Sequence, residues 1–282
     1  MRANLALKPV SFLVKFSINA VVLAFSLSCI FPVLWLINSS LREDKDFLGN
    51  ITALALDPRF DNYKRAIFTG KMGTYFMNSA YLSIVSVIIG TVLAFIVGYF
   101  LSRYRFKGRN LIYLLFLSGM IVPTLSLLIP VFIQFKLLGL GDAWYTLFLP
   151  YIAYSLPMSV ILIEGFVKTV SYEIEEAAIM EGAKTSDLLF RVMFPLCKPI
   201  ISTIIIFNFI GTWNEFPFSL ILVNNPALRT VSVGLNDFNQ MYTTQYTLFM
   251  AALVAVTLPV ILIYSIFSKY IIQGMTAGAV KG

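Results

Sequence analysis

The sequence predicts an all-α, polytopic membrane protein with six transmembrane helices, and three observations carry that prediction. Only 12% of the 282 residues are charged, against about 25% in an average soluble domain. Hydrophobic residues make up 59%, and the mean hydropathy is +0.83. The charges are also unevenly placed, leaving long stretches free of Asp, Glu, Lys and Arg. A spanning helix needs about 20 apolar residues at about 1.5 Å each. Residues 1–282 are therefore expected to form a single transmembrane domain, with spans near 16–38, 76–101, 111–135, 144–163, 197–220 and 247–268, and a polar loop over 171–195 between the fourth and fifth.

The first span is too long for a cleaved signal peptide and runs on through Pro32 and Trp35. The connection after it mixes basic and acidic residues. Asp57-Pro58-Arg59 is a turn signal there, and Asn62–Phe68 is expected to form a short interfacial helix with Tyr63 and Ile67 on one face. Gly90, Gly98 and Gly119 permit close packing of helices. Pro123, Pro130, Pro150, Pro157 and Pro259 fall inside or near spans, where kinks are tolerated if neighbours satisfy the freed carbonyls. Lys136–Asp142, with Gly139 and Gly141, is expected to be a tight turn. The fifth charge-free stretch is short, and the uncharged Phe216–Leu228 is expected to let its helix continue past Glu215. Cys29 and Cys197 lie in unlike environments and read as small buried hydrophobes rather than a bridge.

Lys and Arg set the orientation. Arg103, Arg105, Lys107 and Arg109 crowd the second-to-third connection without an acid, whereas the third-to-fourth and fifth-to-sixth connections hold only Lys136 and Arg229. Short loops carry the positive-inside signal best, so both termini and the 171–195 loop are expected in the cytoplasm. The net charge of +7 reflects this asymmetry and requires no nucleic-acid partner.

The 171–195 loop has its own logic. Ser171 can cap a helix whose first turns carry Glu173, Glu175 and Glu176, favourable against the helix dipole. Ile174, Ala177, Ala178 and Glu181 share one face, Gly182 supplies a turn, and a second helix capped by Thr185 or Ser186 is expected to end at Phe194-Pro195. The spacing Glu176-Ala177-Ala178, three residues, Gly182, nine residues, Val192-x-Phe194-Pro195 is similar to the cytoplasmic loop of ABC importer permeases. That family's pattern is Glu-Ala-Ala, three, Gly, nine, Ile-x-Leu-Pro, and only Val192 and Phe194 depart from it. The resemblance implies that Glu176, Ala177, Ala178, Gly182 and Pro195 dock a separate ATPase.

Two further stretches resemble carbohydrate permeases. Gln273–Gly282 looks like the tail of the shorter maltose-type permease, which implies that Thr276, Ala277, Gly278, Lys281 and Gly282 contact the ATPase pair. Asn208–Phe216 together with Leu228–Leu235 is similar to the fifth span and following loop of such permeases. That likeness implies a surface facing an external binding protein, made of Trp213, Asn214, Glu215, Asn224 and Asn225. As a group, these resemblances imply a prokaryotic plasma-membrane permease for a carbohydrate, an oligosaccharide by preference. Its partners would be a second permease, two ATPase subunits, an external solute-binding protein and the lipid bilayer.

Absences narrow the function. There is no His and no Gly-x4-Gly-Lys-Ser/Thr, so neither a His-centred metal site nor a P-loop is encoded. No charge sits in mid-span, as proton-coupled carriers usually require. The chain is therefore expected to perform no bond chemistry and to hold no cofactor, with ATP and Mg bound by partner subunits. An importer for a non-sugar solute, or a self-sufficient carrier or channel, remains the competing reading. Asn78, Tyr81, Ser83 and Asn208 are too ordinary as residue types to assign as substrate contacts.

Overall fold

The protein is described here by a computed structural model covering residues 12–241 and 245–279. Among these the backbone is helical or irregular, with no strand. The principal helices are α1 (Phe12–Ser40), α2 (Met72–Arg103), α3 (Arg109–Gly119), α4 (Leu128–Leu137), α5 (Phe148–Val167), α6 (Tyr172–Met180), α7 (Lys198–Trp213), α8 (Val231–Met241) and α9 (Tyr246–Ala279). Among the described residues four helices are long and apolar enough to cross a membrane: Val14–Ser40, Met72–Arg103, Phe148–Val167 and Tyr246–Phe267. Two bent pairs raise the count to six if each is one span.

The α2–α5 pair forms the centre of the bundle. In lipid, apolar burial gains little from leaving water, so close backbone approach and dispersion must hold helices together. Gly98 provides that approach: a Cβ there would lie 2.8 Å from Ile163 Cγ2 and 3.0 Å from the Val160 carbonyl. Around this contact Phe95, Tyr99, Ile163 and Met193 are fully buried. A second cluster joins α2, α7, α8 and α9 through Tyr75, Trp213 and Phe238, and a third joins α2, α4 and α5 through Leu82, Phe135 and Tyr151. By contrast α1 is exposed along almost all of its length, Cys29 included, so Cys29 is not the buried residue expected. Cys197 is buried.

Several expectations need correction. The third apolar stretch is not one helix: it breaks between Gly119 and Thr124, and its two halves meet at 99°. Pro123 has no N–H to donate there, and the residue before a proline is driven out of the α region. The fifth helix does not run past Glu215. It ends at Trp213, and a separate short helix, Pro217–Leu222, follows. The long connection after it is mostly folded, with α8 packed between α2 and α9. In the first connection a helix does form over Asp61–Lys64 and continues as a wider π-type turn to Thr69. The face turned to the bundle is Asn62 and Ala66, which leaves Ile67 exposed and Tyr63 half-buried. Asn62 turns inward because its amide donates to the carbonyls of Ser40 and Arg42, both at 2.9 Å.

Candidate docking site

The loop between α5 and α7 forms as its local chemistry dictates. Ser171 is the N-cap of α6, its hydroxyl accepting from the Glu173 N–H at 3.3 Å. At the other end Gly182 has φ +90. Its N–H bonds to the Ile179 carbonyl at 2.9 Å, and that of Ala183 to the Ala178 carbonyl at 3.0 Å. This is a Schellman closure, which requires a left-handed residue after the helix. The next helix starts differently from expectation. Thr185 and Ser186 do not cap it; the Asp187 carboxylate instead reaches back to the Lys184 N–H at 3.2 Å. The helix ends at Leu196, one residue past the expected Pro195, and the chain turns through 78° into α7. Pro195 lies just after the wider π-type stretch Leu188–Met193 gives way to Phe194–Leu196.

The outward surface of α6 mixes large apolar side chains with the exposed acids Glu173 and Glu176. Tyr172, Ile174, Ile179 and Met180 are exposed, Met180 to 88%, and Glu176, Ala177 and Gly182 are exposed beside them, with Ala178 half-buried. The acid that anchors α6 is Glu175, not the Glu176 of the recognised motif. The Glu175 side chain is only 9% exposed and meets Arg103, itself 3% exposed, at 2.5 Å. Tyr99 donates its hydroxyl to the other carboxylate oxygen at 2.8 Å. Arg103 also donates to the Val170 carbonyl at 2.8 Å and lies 4.2 Å over the Tyr172 ring. Beyond Gly182 the chain is sunk into the bundle through Leu188, Leu189 and Met193, and Phe194 meets Phe95 edge-on at 5.1 Å.

The opposite end of the bundle separates the five residues grouped there by sequence. Trp213 is buried, stacked on Phe209 at 5.5 Å and edge-on to Phe76 at 5.2 Å, with its indole N–H donated to the Val256 carbonyl at 3.2 Å. It packs within the chain, 1% exposed. Glu215 is turned inward as well, accepting from Tyr151 Oη at 3.0 Å and from the N–H groups of Phe218 at 2.6 Å and Ser219 at 3.1 Å. Its carboxylate closes the start of Pro217–Leu222. Asn214, Asn224 and Asn225 remain exposed. The turn at Asp142 holds the last two: its carboxylate accepts from the N–H of Asn224 at 2.5 Å and of Asn225 at 2.8 Å. The Asn225 and Asn224 donors hold the Asp142 carboxyl below its ordinary value, although partial burial opposes them.

Of the four ordinary candidates, Asn78 ties the same segment by donating to the Ala227 and Arg229 carbonyls, at 2.8 and 2.9 Å. Tyr81 donates to the Trp144 carbonyl at 3.0 Å, and Ser83 is fully buried. Asn208 donates to Ser159 at 3.0 Å and lines a cavity of about 500 Å³ with Tyr151, Tyr154, Ser155, Thr212 and Glu215. Thr276, Ala277 and Gly278 continue the α9 helix, while Lys281 and Gly282 lie outside the described residues. No group of three or more His, Cys, Asp or Glu arranged for a metal ion occurs among the described residues.

Residues 86–277 match the family model described as the binding-protein-dependent transport system inner membrane component. Among similar proteins, the probable ABC transporter permease YurM of Bacillus subtilis is 31% identical over 252 residues, covering 89% of this chain and 84% of that protein. The diacetylchitobiose uptake permease NgcG of Streptomyces coelicolor is 30% identical over 265 residues, covering 93% and 88%. The trehalose/maltose permease MalG of Thermococcus litoralis is 31% identical over 268 residues, covering 94% and 95%. In fold the chain is similar to a chain of a bacterial ABC transporter that imports alginate, with a TM-score of 0.80 and 24% identity over 94% of this chain and 100% of that one. This chain therefore belongs to the inner membrane component family of binding-protein-dependent transport systems, as a multi-pass ABC permease.

Proposed function

We propose that the chain is one permease subunit of an ATP-driven carbohydrate importer, taking an oligosaccharide from an external binding protein by alternating access. The observation that carries this reading is α6: a capped, Gly-terminated helix with bare apolar surface at one end of the bundle. Relatives named for diacetylchitobiose, trehalose/maltose and arabinooligosaccharide uptake support the sugar class. A second alginate-importer structure, with its pentasaccharide-bound periplasmic protein, aligns at a TM-score of 0.64 and supports the fold alone.

In this reading residues 1–282 form one transmembrane domain of six spans, both termini and the 171–195 loop are cytoplasmic, and two ATPase subunits and a second permease complete the assembly. Glu176, Ala177, Ala178 and Gly182 meet the ATPase, with Pro195 in the segment behind them. Thr276, Ala277, Gly278, Lys281 and Gly282 extend toward the ATPase pair. Asn214, Asn224 and Asn225 face the binding protein. ATP-driven closure would shift the pathway between two states that bind nucleotide differently. The chain itself would do no bond chemistry, and ATP and Mg would be held by its partners.

Reconstituted liposomes test this. Uptake of a labelled malto- or chito-oligosaccharide series should require ATP inside the ATPase-bearing compartment and binding protein on the other side. Flux through the permeases alone, without ATP, would assign the chain to the carriers. Deleting Met275–Gly282 should change hydrolysis and uptake at unchanged membrane insertion; equal rates would remove the tail from the ATPase contact.

A further inference from the structure

We propose that Tyr99, Arg103 and Glu175 form a positioning clamp that makes α6 move as one body with α2, so that force on the docking helix reaches the α2–α5 pair. This rests on the docking reading of α6. The covalent link from α5 to α6 is only Lys168–Ser171, and its turn bonds, from the Thr169 N–H to the Phe166 carbonyl at 2.9 Å and from the Val170 N–H to the Val167 carbonyl at 3.1 Å, tie it back to α5 without fixing the direction of α6. Arg103 joins the two: Nη2 holds the Val170 carbonyl of the link at 2.8 Å, while Nε holds Glu175 one turn into the helix. The guanidinium plane also covers Tyr172, the first residue of α6, at 4.2 Å. One side chain from α2 therefore contacts the link, the helix start and the helix interior.

Stability alone does not call for ions here. A buried ion pair seldom outperforms an apolar trio of the same volume, because desolvation offsets the attraction. Its geometry is far more specific, since a planar guanidinium and a carboxylate with a second donor accept few alternative placements. A neighbouring buried acid shows the contrast. Glu164, with a side chain 3% exposed, pairs with Lys168 at 2.5 Å and Arg109 at 3.5 Å, joining α5 to the start of α3 and to the first residue of the link, but to no residue of α6 itself.

The test uses the assembled transporter with spin labels at Ile89→Cys on α2 and Glu181→Cys at the end of α6, both exposed sites. Distances are read without nucleotide and with ATP, Mg and vanadate. With the clamp intact, one narrow distribution should persist in both conditions. In Glu175→Gln, and in Arg103→Met with Glu175→Met (which leaves no charge buried alone), the distribution should broaden and shift when nucleotide is added. The ratio of nucleotide-plus-binding-protein-stimulated to basal hydrolysis should also fall roughly tenfold, as expected for a residue that carries coupling. Glu164→Gln should preserve both readouts. An unchanged distribution in both clamp variants overturns the proposal, and so does an equal loss in Glu164→Gln. Failure of both clamp variants to assemble would make the pair a folding requirement and overturns it too. If the unsubstituted permease does not co-purify with its ATPase, the docking reading fails separately, and the nucleotide-free distributions still decide whether the clamp fixes α6.

Discussion

The two ends of the bundle are held by opposite means. At the docking end a single buried carboxylate, Glu175, gathers Arg103 and Tyr99, with little water to soften the loss of either. At the other end, outside the inward-turned Glu215, the outer turn 224–229 is held by several shallower bonds: Asp142 to two backbone N–H groups, Asn78 to two carbonyls, and Arg229 to Asp237. The first arrangement concentrates rigidity in one all-or-none contact. The second distributes it over several exposed or half-buried bonds, for which water competes. The first suits a helix that transmits force, as proposed for α6, and the second suits a surface that adjusts to a partner, as proposed for Asn224 and Asn225.

The largest expected effect tests the first half of that contrast. Arg103→Ala leaves Glu175 buried without its cation and should cost about 3–5 kcal/mol, read as a lower thermal unfolding midpoint of the detergent-solubilised chain. A loss below about 1 kcal/mol, as for an exposed pair, would erase the difference between the ends. Next comes the turn. Gly182→Ala forces a side chain into φ +90 and should cost about 1–2 kcal/mol, and Gly182→Pro more. Both should lower ATPase co-purification, as should Glu176→Lys with Ala177→Asp, while the chain still reaches the membrane. Full assembly in all three would release the loop from docking.

The opposite end should respond more mildly. Asp142→Asn should cost about 1 kcal/mol at neutral pH, because its donors are exposed to water. The Asp142 carboxyl is depressed when folded, so its contribution is present above the unfolded value of about 3.9 and lost as pH falls through the lower folded one. The stability margin over the Asn variant should be full above about pH 5 and shrink in more acidic buffer. A margin that does not vary with pH would mean the carboxylate does not hold Asn224 and Asn225. Smallest in energy are Cys substitutions at the exposed Lys107 and Lys184, each within about 0.5 kcal/mol, with Asn225→Cys costing about 1 kcal/mol because its side chain caps the turn at Ala227. Impermeant reagent should label the first two from the cytoplasm and Asn225 from outside; cytoplasmic labelling at Asn225 would exchange the roles of the two ends.

Much of the docking end could be read from sequence because its determinants are local. Ser171 and Gly182 each act within a few residues of themselves. Glu175 could not be separated from Glu173 and Glu176 by sequence, since its burial is set by Arg103, 72 residues away. The available signal was an Arg closing a span with no acid in its own connection. At the other end, Glu215 precedes Pro217 by two places, the spacing of a side chain that closes a helix start, and the four-residue step from Phe209 to Trp213 puts two rings on one face. Both spacings are local signals of packing, whereas the resemblance to carbohydrate permeases points to a partner surface. The break at Pro123 was marked by proline yet undecidable, because membrane helices often carry proline without breaking.

That break has an electrical consequence. Backbone interrupted at membrane depth is tolerated where it is buried in protein or lines water, and Gly119, Met120, Val122 and Thr124 all border the cavity shared with Asn208 and Glu215. Water reaching those groups would carry the potential of one bulk phase into the interior of the bundle. The transmembrane voltage would then fall across only the remaining sealed thickness, steepening the local field at about 2.3 kcal/mol per elementary charge per 100 mV in total. An uncharged sugar would cross that region indifferent to the voltage, whereas an anionic one would feel most of it in a single step.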